Sequence, residues 1–178
     1  NKVYDKELVA EKKKIDGYQA RIAKRKLELE MAEHLASLSA AEAAVKVGVK
    51  DGSFDAAEEA VANLEKEIGA GAQFAKADAK HGARLAALKK DLPKRRSLIA
   101  TARLEADIGQ HKKTVAEAVG EADKRLEALG QGPTPSTIKA AEDAVGSLEE
   151  ALKNGAELAK KNGAHAKWIA GYGKKVNE

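Results

Sequence analysis

The feature of this sequence that most constrains its fold is an internal repeat of helical character. The segment "FDAAEEAVANLEKEI" (54–68) matches "IKAAEDAVGSLEEAL" (138–152) at a spacing of 84 residues. Upstream, "IAKRKLELEMAEH" (22–34) matches "IATARLEADIGQH" (99–111) at a spacing of 77 residues. The two spacings differ by seven residues, which is one heptad and can be inserted without rotating an apolar seam. The repeat therefore predicts a helical hairpin that occurs twice.

Composition indicates that the repeated unit is helical throughout. Charged residues make up 34% of the chain and aromatic residues only 3%, and Ala, Glu, Lys and Leu dominate. Such a composition, with only three prolines in 178 residues, favours long helices and no sheet. We predict an all-α fold, an elongated antiparallel bundle of about four long helices. It forms a single domain, 1–178, with an internal repeat of 1–92 and 93–178.

Loop signals place the ends of the predicted helices. Ser53 follows a Gly/Asp cluster and is a favourable N-cap, and Pro133 belongs to a Gly/Pro/Ser/Thr loop. The break at Pro93 has two interpretations: Asp91 caps a new helix with Pro93 in its first turn, or one continuous helix is kinked there. With the first interpretation, the predicted helices span 4–46, 53–91, 93–129 and 136–176.

All four histidines fall on the apolar seams of these helices. Apolar residues at alternating spacings of three and four place each histidine among core positions rather than on a solvated face. Helix lengths at about 1.5 Å per residue predict two polar layers, one with His34 and His111 and the other with His81 and His165. Core histidines that fix helix register, metal or haem ligands, and a pH-sensitive core are the alternatives. The direction of any pKa shift is left open, because burial and nearby carboxylates act oppositely.

The candidate ligand-binding residues follow from these seams and from the only tryptophan. Trp168 lies beside its seam, where it is either peripheral core or an exposed anchor for a partner. The nearby Gly171 and Gly173 lower helix stability and would be explained by a partner that packs closely there. Together with the membrane-distal loops, the candidate site residues are His34, His81, His111, His165 and Trp168.

Several functional classes find no support in the sequence. There is no cysteine, no glycine-rich phosphate loop after a strand, and no Glu-x-x-His pair of the di-iron type. The net charge of +4 is distributed as mixed signs without interleaved aromatics, unlike a nucleic-acid interface. No apolar run reaches the roughly 20 residues of a membrane span. We predict no enzymatic activity, no catalytic residues, no metal site, no cofactor and no nucleic-acid partner.

The order of these elements resembles that of the helical-bundle surface proteins of African trypanosomes. A His-containing amphipathic helix, a Gly/Pro/Ser/Thr loop, an Ala/Glu helix with Asn-Gly breaks and a His/Trp segment follow one another in 111–168. The proteins that it resembles include the glutamic-acid/alanine-rich coat proteins, the alanine-rich surface proteins and the haptoglobin–haemoglobin receptor. The chain departs from several of them because it has neither cysteines nor Asn-x-Ser/Thr sequons.

This resemblance implies a non-enzymatic coat or ligand-binding rod on the extracellular face of a parasite plasma membrane. It also implies a C-terminal lipid anchor of the GPI type that has been removed, and a host or vector protein as ligand. The alternative function from the residues themselves is a four-helix bundle that holds metal or haem on its histidine layers. The sequence indicates neither the oligomeric state nor the identity of the ligand.

Overall fold

A computed structural model describes residues 2–176 of the chain, and the surroundings of the side chains for 7–173. The described residues form helices and connecting turns without a strand, which confirms the all-α prediction. The helices are α1 Lys2–Lys50, α2 Phe54–Ala70, α3 Ala72–Ala75, α4 Ala79–Gln131, α5 Pro135–Asn154, α6 Ala156–Lys161 and α7 Gly163–Val176. No helix within the described range is both long and apolar enough to cross a bilayer.

The predicted helix boundaries are wrong in the middle of the chain. Pro93 lies inside α4, so the continuous-helix alternative is correct and no turn occurs there. The predicted helix 53–91 is instead interrupted at Gly71 and again between α3 and α4. In the second repeat, the predicted helix 136–176 is interrupted at Gly155 and at Asn162. Each interruption in one repeat has a counterpart in the other, because the two segments share one pattern.

The chain divides into two compact units, Asn1–Ile99 and Ala100–Glu178. The boundary lies inside α4, so this helix supplies its first part to unit 1 and its second part to unit 2. The division falls near the predicted repeat boundary at 92/93. The prediction of a single domain that is an antiparallel four-helix bundle stays a prediction.

The core of unit 1 is an aliphatic cluster formed by α1, α2 and the first part of α4. Leu38, Leu64 and Ile99 are almost completely buried in it. Partly buried ion pairs flank this core: Arg95 donates to Glu42 at 2.7 Å and to Asp91 at 3.1 Å. Since apolar burial contributes about 25 cal/mol per Å² and exposed pairs contribute little, the aliphatic cluster dominates the stability of the unit.

The core of unit 2 is smaller and contains more alanine. Its buried residues come from the second part of α4 and from α5, and α7 contributes partly buried aromatic side chains. A capping box begins α5: Thr134 accepts from the backbone N–H of Thr137 at 3.1 Å, and the Thr137 side chain accepts in return from Thr134 at 2.8 Å. The structure places this cap at Thr134, so α5 begins one residue before the predicted start at 136. The buried residues of this core are Val115, Ala122, Ala144, Leu148, Ala151 and Leu152.

Candidate functional site

The first histidine cluster consists of His34, Phe74 and His81 in unit 1. α1 supplies His34, α3 supplies Phe74, and the first turns of α4 supply His81. The ring centroids of the two histidines are 5.1 Å apart, and Phe74 lies 5.3 Å from one and 5.6 Å from the other. The three rings therefore pack against one another close to the point where α2 ends and α3 begins.

Hydrogen bonds orient both imidazoles of the first cluster. Nε2 of His34 lies 2.8 Å from the carbonyl oxygen of Glu67, and Nδ1 of His34 lies 3.0 Å from Nε2 of His81. A carbonyl oxygen can only accept, so His34 donates through Nε2–H. When both rings are neutral, Nδ1 of His34 must then accept from Nε2–H of His81. This order leaves Nδ1 of His81 buried, with no hydrogen-bond partner in the described part of the chain.

Gly71 allows His34 to reach the backbone. Its φ of −72° and ψ of −7° are ordinary right-handed helical values, so its role is not conformational. A Cβ at this position would lie 2.5 Å from Cε1 of His34 and 2.8 Å from Cδ1 of Leu85. Only a residue without a side chain lets the imidazole occupy that space, next to the carbonyl of Glu67.

Asp78 positions His81 through the backbone rather than through the ring. Its Oδ1 accepts from the backbone N–H of Lys80 at 2.7 Å and from that of His81 at 3.1 Å, as an N-cap of α4 does. These two backbone hydrogen bonds hold the pKa of Asp78 below its usual value. The carboxylate therefore fixes the start of α4, and with it the position of the His81 imidazole along the helix axis.

The second histidine cluster repeats this arrangement in unit 2 with His111, His165 and Trp168. Nε2–H of His111 donates to the carbonyl oxygen of Ala151 at 2.8 Å, and a Cβ on Gly155 would lie 2.5 Å from the same ring. Ala151 and Gly155 are four residues apart, as are Glu67 and Gly71 in unit 1. Oδ1 of Asn162 accepts from the backbone N–H of His165 at 3.0 Å, in the place of Asp78.

The second cluster differs from the first in how its rings meet. The centroids of His111 and His165 are 4.9 Å apart with the rings edge to face, and no hydrogen bond joins them. Trp168 stacks on His165 at a centroid distance of 5.4 Å and an interplanar angle of 12°. Trp168 is half-buried, which confirms the peripheral-core interpretation, and Lys112 lies over its ring at 5.6 Å. The cluster is an aromatic stack where unit 1 has a hydrogen-bonded pair.

Burial makes protonation of His81 and of His165 unfavourable. Desolvation first, and then the neighbouring His34, lowers the pKa of His81 below 6.5; Asp78 opposes this shift and Arg84 adds to it. Desolvation also lowers the pKa of His165, followed by the charges of His111 and Lys112. The direction that the sequence left open is thus downward for both residues.

The prediction that all four histidines are buried is confirmed, since only 2–8% of each is exposed. The predicted grouping is wrong: His34 pairs with His81, and His111 with His165. The error follows from placing a chain reversal at Pro93. In the structure, His81 lies three residues after the break at Asp78, on a helix that starts beside His34. The prediction had instead placed it near the end of one continuous helix, 53–91.

Sequence reasoning missed the residues that make each cluster possible. Gly71 and Gly155 occupy matching positions of the repeat, but neither these glycines nor the carbonyl groups that accept from the histidines carry a sequence signal for a cluster. The signal for the caps was available, because Asp78 and Asn162 share the 84-residue spacing and precede a histidine by three. In the predicted helices 53–91 and 136–176, both residues fall in a helix interior instead of at a helix start.

The geometry of the clusters bears on the chemistry that they can perform. Within the described residues, no three His, Asp or Glu side chains converge as metal ligands. The rings of each pair touch one another, so no space for a macrocycle exists between them. A hydrogen-bonded or stacked imidazole pair, buried and tied to a backbone carbonyl, can fix the register of helices.

Outside the clusters, large apolar side chains are exposed on the first part of α1. They recur every seven residues, with a tyrosine between two of them, and are 52–68% exposed. A line of this kind spans about 32 Å along one helix face. We call this set the α1 stripe; its members are Leu8, Ile15, Tyr18, Ile22 and Leu29.

Comparison of the whole chain with protein-family models, with curated proteins and with solved structures finds no match.

Proposed function

We propose that this protein is a non-enzymatic helical module that acts through its surfaces, as a coat or ligand-binding protein. One contrast supports the proposal. The side chains best suited to chemistry, the four histidines, are 2–8% exposed, whereas the α1 stripe is 52–68% exposed. Exposed large apolar side chains that lie along one helix face are typical of interaction sites. In this proposal, the bundle is an elongated antiparallel one and the histidine clusters hold it in register.

A location on the extracellular face of a parasite plasma membrane, with a lipid anchor and a host or vector ligand, rests on the compositional resemblance to the trypanosome proteins. Labelling of intact source cells with a membrane-impermeant biotin reagent tests this location. Labelling that occurs only after the cells are lysed would argue for an internal protein and against a coat function.

The second candidate, metal or haem binding on the histidine pairs, has one observation in its favour. The two nitrogens of His165 are buried without a hydrogen-bond partner among the described residues. Titration with haemin, Zn²⁺ or Ni²⁺ discriminates the two functions. We expect no Soret shift and no change in melting temperature at about a hundredfold excess of either metal, because the rings are in mutual contact.

A matched variant completes the titration. His165→Gln keeps a polar side chain of similar size but removes the imidazole. Stoichiometric binding to the unmodified protein that is lost in this variant would overturn the surface-binding proposal in favour of the second candidate. Binding that survives both this substitution and its counterpart His81→Gln would place the haem or metal away from the histidine pairs and leave the proposal standing.

A further inference from the structure

Three residues of the α1 stripe stand at repeat positions that are core positions in α4. At the 77-residue spacing of the repeat, Leu8 corresponds to Leu85, Ile15 to Leu92, and Ile22 to Ile99. The three α4 residues are only 1–6% exposed, whereas the three α1 residues are 52–68% exposed. The first part of α1 therefore has the apolar face of a packed helix, but that face is uncovered.

The same pattern occurs a third time, in α7. At the 84-residue spacing, Ile169 corresponds to Leu85, and it packs against the core of unit 2. Asp78 and Asn162, which cap α4 and α7, also correspond at this spacing, and Asn1 stands at their place in the sequence. The third helix of a unit is thus present three times in the sequence, whereas the hairpin that precedes it is present twice.

In both units, the hairpin covers the third helix that follows it. Leu38 of α1 and Leu64 of α2 belong to the same buried cluster as the core residues of α4. In unit 2, Val115 of α4 and Leu148 of α5 form the core against which Ile169 of α7 packs. A third-helix face of this repeat is therefore buried by two helices that come before it in the chain.

The apolar positions recur between the units, but the charged pairs do not. Glu42 of α1 accepts from Arg84 at 3.3 Å and from Arg95 at 2.7 Å in unit 1. Val119 takes the place of Glu42 in unit 2, and Glu7 takes the place of Arg84 in the first part of α1. The apolar face, and not a fixed set of ion pairs, therefore specifies which helices pack together.

The first part of α1 has little packing of its own. In residues 7–26, every residue except Gly17 is exposed. One position departs from the apolar pattern, since Glu11 stands at the place of Leu88 and accepts from Lys14 at 2.8 Å. Most of the stability of a helix in a protein comes from packing of its apolar face. A helix with this face requires an occupant for it.

We propose that the first part of α1 is the third helix of a further three-helix unit, and that a hairpin of the α1–α2 type, ahead of Asn1 in the same polypeptide, covers the α1 stripe. α4 passes through Ile99 without a break, from the third helix of unit 1 to the first helix of unit 2. α1 passes through Ile22, the equivalent residue, in the same way. The inference rests on the proposed surface function, because it names the partner of the stripe.

The chain itself supplies the hairpin for a test. Residues 100–161 precede the third helix of unit 2, so a copy of them placed directly before Asn1 has the register of the repeat. This copy carries Val119 at the place of Glu42 and brings no carboxylate of that position towards Glu7. We expect amide hydrogen exchange of residues 8–22 to be at least tenfold slower in this extended chain than in the unmodified chain.

Two variants of the extended chain show whether the stripe is responsible. Ile15→Glu/Ile22→Glu should restore the fast exchange, because two charges replace apolar contacts. Arg21→Glu is the matched control, since it changes the net charge by the same amount at an exposed residue and should keep the protection. Circular dichroism verifies that each variant is as helical as the extended chain. Exchange of residues 8–22 that stays fast in the extended chain, or protection that survives the double variant, would show that the inference is wrong.

The polypeptide isolated from the source cells provides a second test, which does not depend on folding of the extended chain. We expect mass spectrometry to find a polypeptide longer than 178 residues. The sequence ahead of Asn1 should repeat the apolar spacing of 22–77, with a histidine and a glycine at the places of His34 and Gly71. A polypeptide that begins at Asn1, or a preceding segment without this pattern, would overturn the inference. Either failure leaves the proposed function in place, because cell-surface labelling and the haemin titration test it independently.

Discussion

Replacing Gly71 with Ala should lower the free energy of unfolding, although the same change at most helical glycines raises it. The new Cβ would lie 2.5 Å from Cε1 and 3.0 Å from Nε2 of His34. The imidazole would have to leave its position, and with it the hydrogen bonds to the carbonyl of Glu67 and to His81. The substitution should therefore break both hydrogen bonds of the His34 ring.

The expected change in the free energy of unfolding is the sum of two destabilising contributions and one stabilising contribution. Overpacking costs about 1–3 kcal/mol. A buried polar group left without its partner costs a further 1–3 kcal/mol or so. Ala in place of Gly in a helical conformation stabilises by about 1 kcal/mol, since the backbone at Gly71 is right-handed. The net expectation is a loss of about 3 kcal/mol, well above the error of a denaturation measurement.

Gly69 provides a matched control two residues away. A Cβ there would meet no atom within 4 Å, so Gly69→Ala should stabilise the protein by up to about 1 kcal/mol. Urea denaturation followed by circular dichroism at about 222 nm gives both values from the same experiment. If Gly71→Ala were as stable as Gly69→Ala, the imidazole would not depend on the absent side chain, and the interpretation of the cluster would be refuted.

Two further changes test unit 2 and the pH response. Because burial above all, and then His111 and Lys112, lowers the folded-state pKa of His165 below 6.5, the unfolded state binds more protons in acid. The contribution of the neutral imidazole to the free energy of unfolding should therefore be fully present above about pH 6.5 and fall as the pH drops towards the folded-state pKa. The same holds for His81. A urea midpoint that does not change between about pH 7.5 and 5.5 would contradict this. Asn162→Ala removes the cap of α7 and should cost about 1 kcal/mol, whereas Asn162→Asp should not; thermal melts of the two variants measure the difference, and equal melting temperatures would exclude a capping role.

The burial of the histidines could be predicted because it depends only on local periodicity. Apolar spacings of three and four define one face of a helix wherever the helix ends. His34 and His111 therefore fall among core residues even though the predicted helix lengths are wrong. The same reasoning could not identify their partners, because pairing depends on where the chain turns.

The position of the turn could not be predicted because two local signals conflicted. Pro93 is the strongest helix breaker in its region, and a proline inside a helix costs about 3 kcal/mol. Asp78 is a weaker signal, yet it caps α4 with two backbone hydrogen bonds. Tertiary packing of Leu85, Leu92 and Ile99 on both sides of Pro93 holds the helix together through the proline.

The continuity of α4 has a consequence for how the molecule unfolds. Since the boundary between Ile99 and Ala100 lies within a helix, neither unit has a terminus there that could fray alone. Helix propagation is cheap once a nucleus exists, so order in one repeat promotes order in the next, as in a one-dimensional array with nearest-neighbour coupling. Cleavage of the chain at this point should destabilise each fragment by more than its own contacts suggest. Each fragment would lose the adjoining turns of α4, from which the helix in its own part propagates.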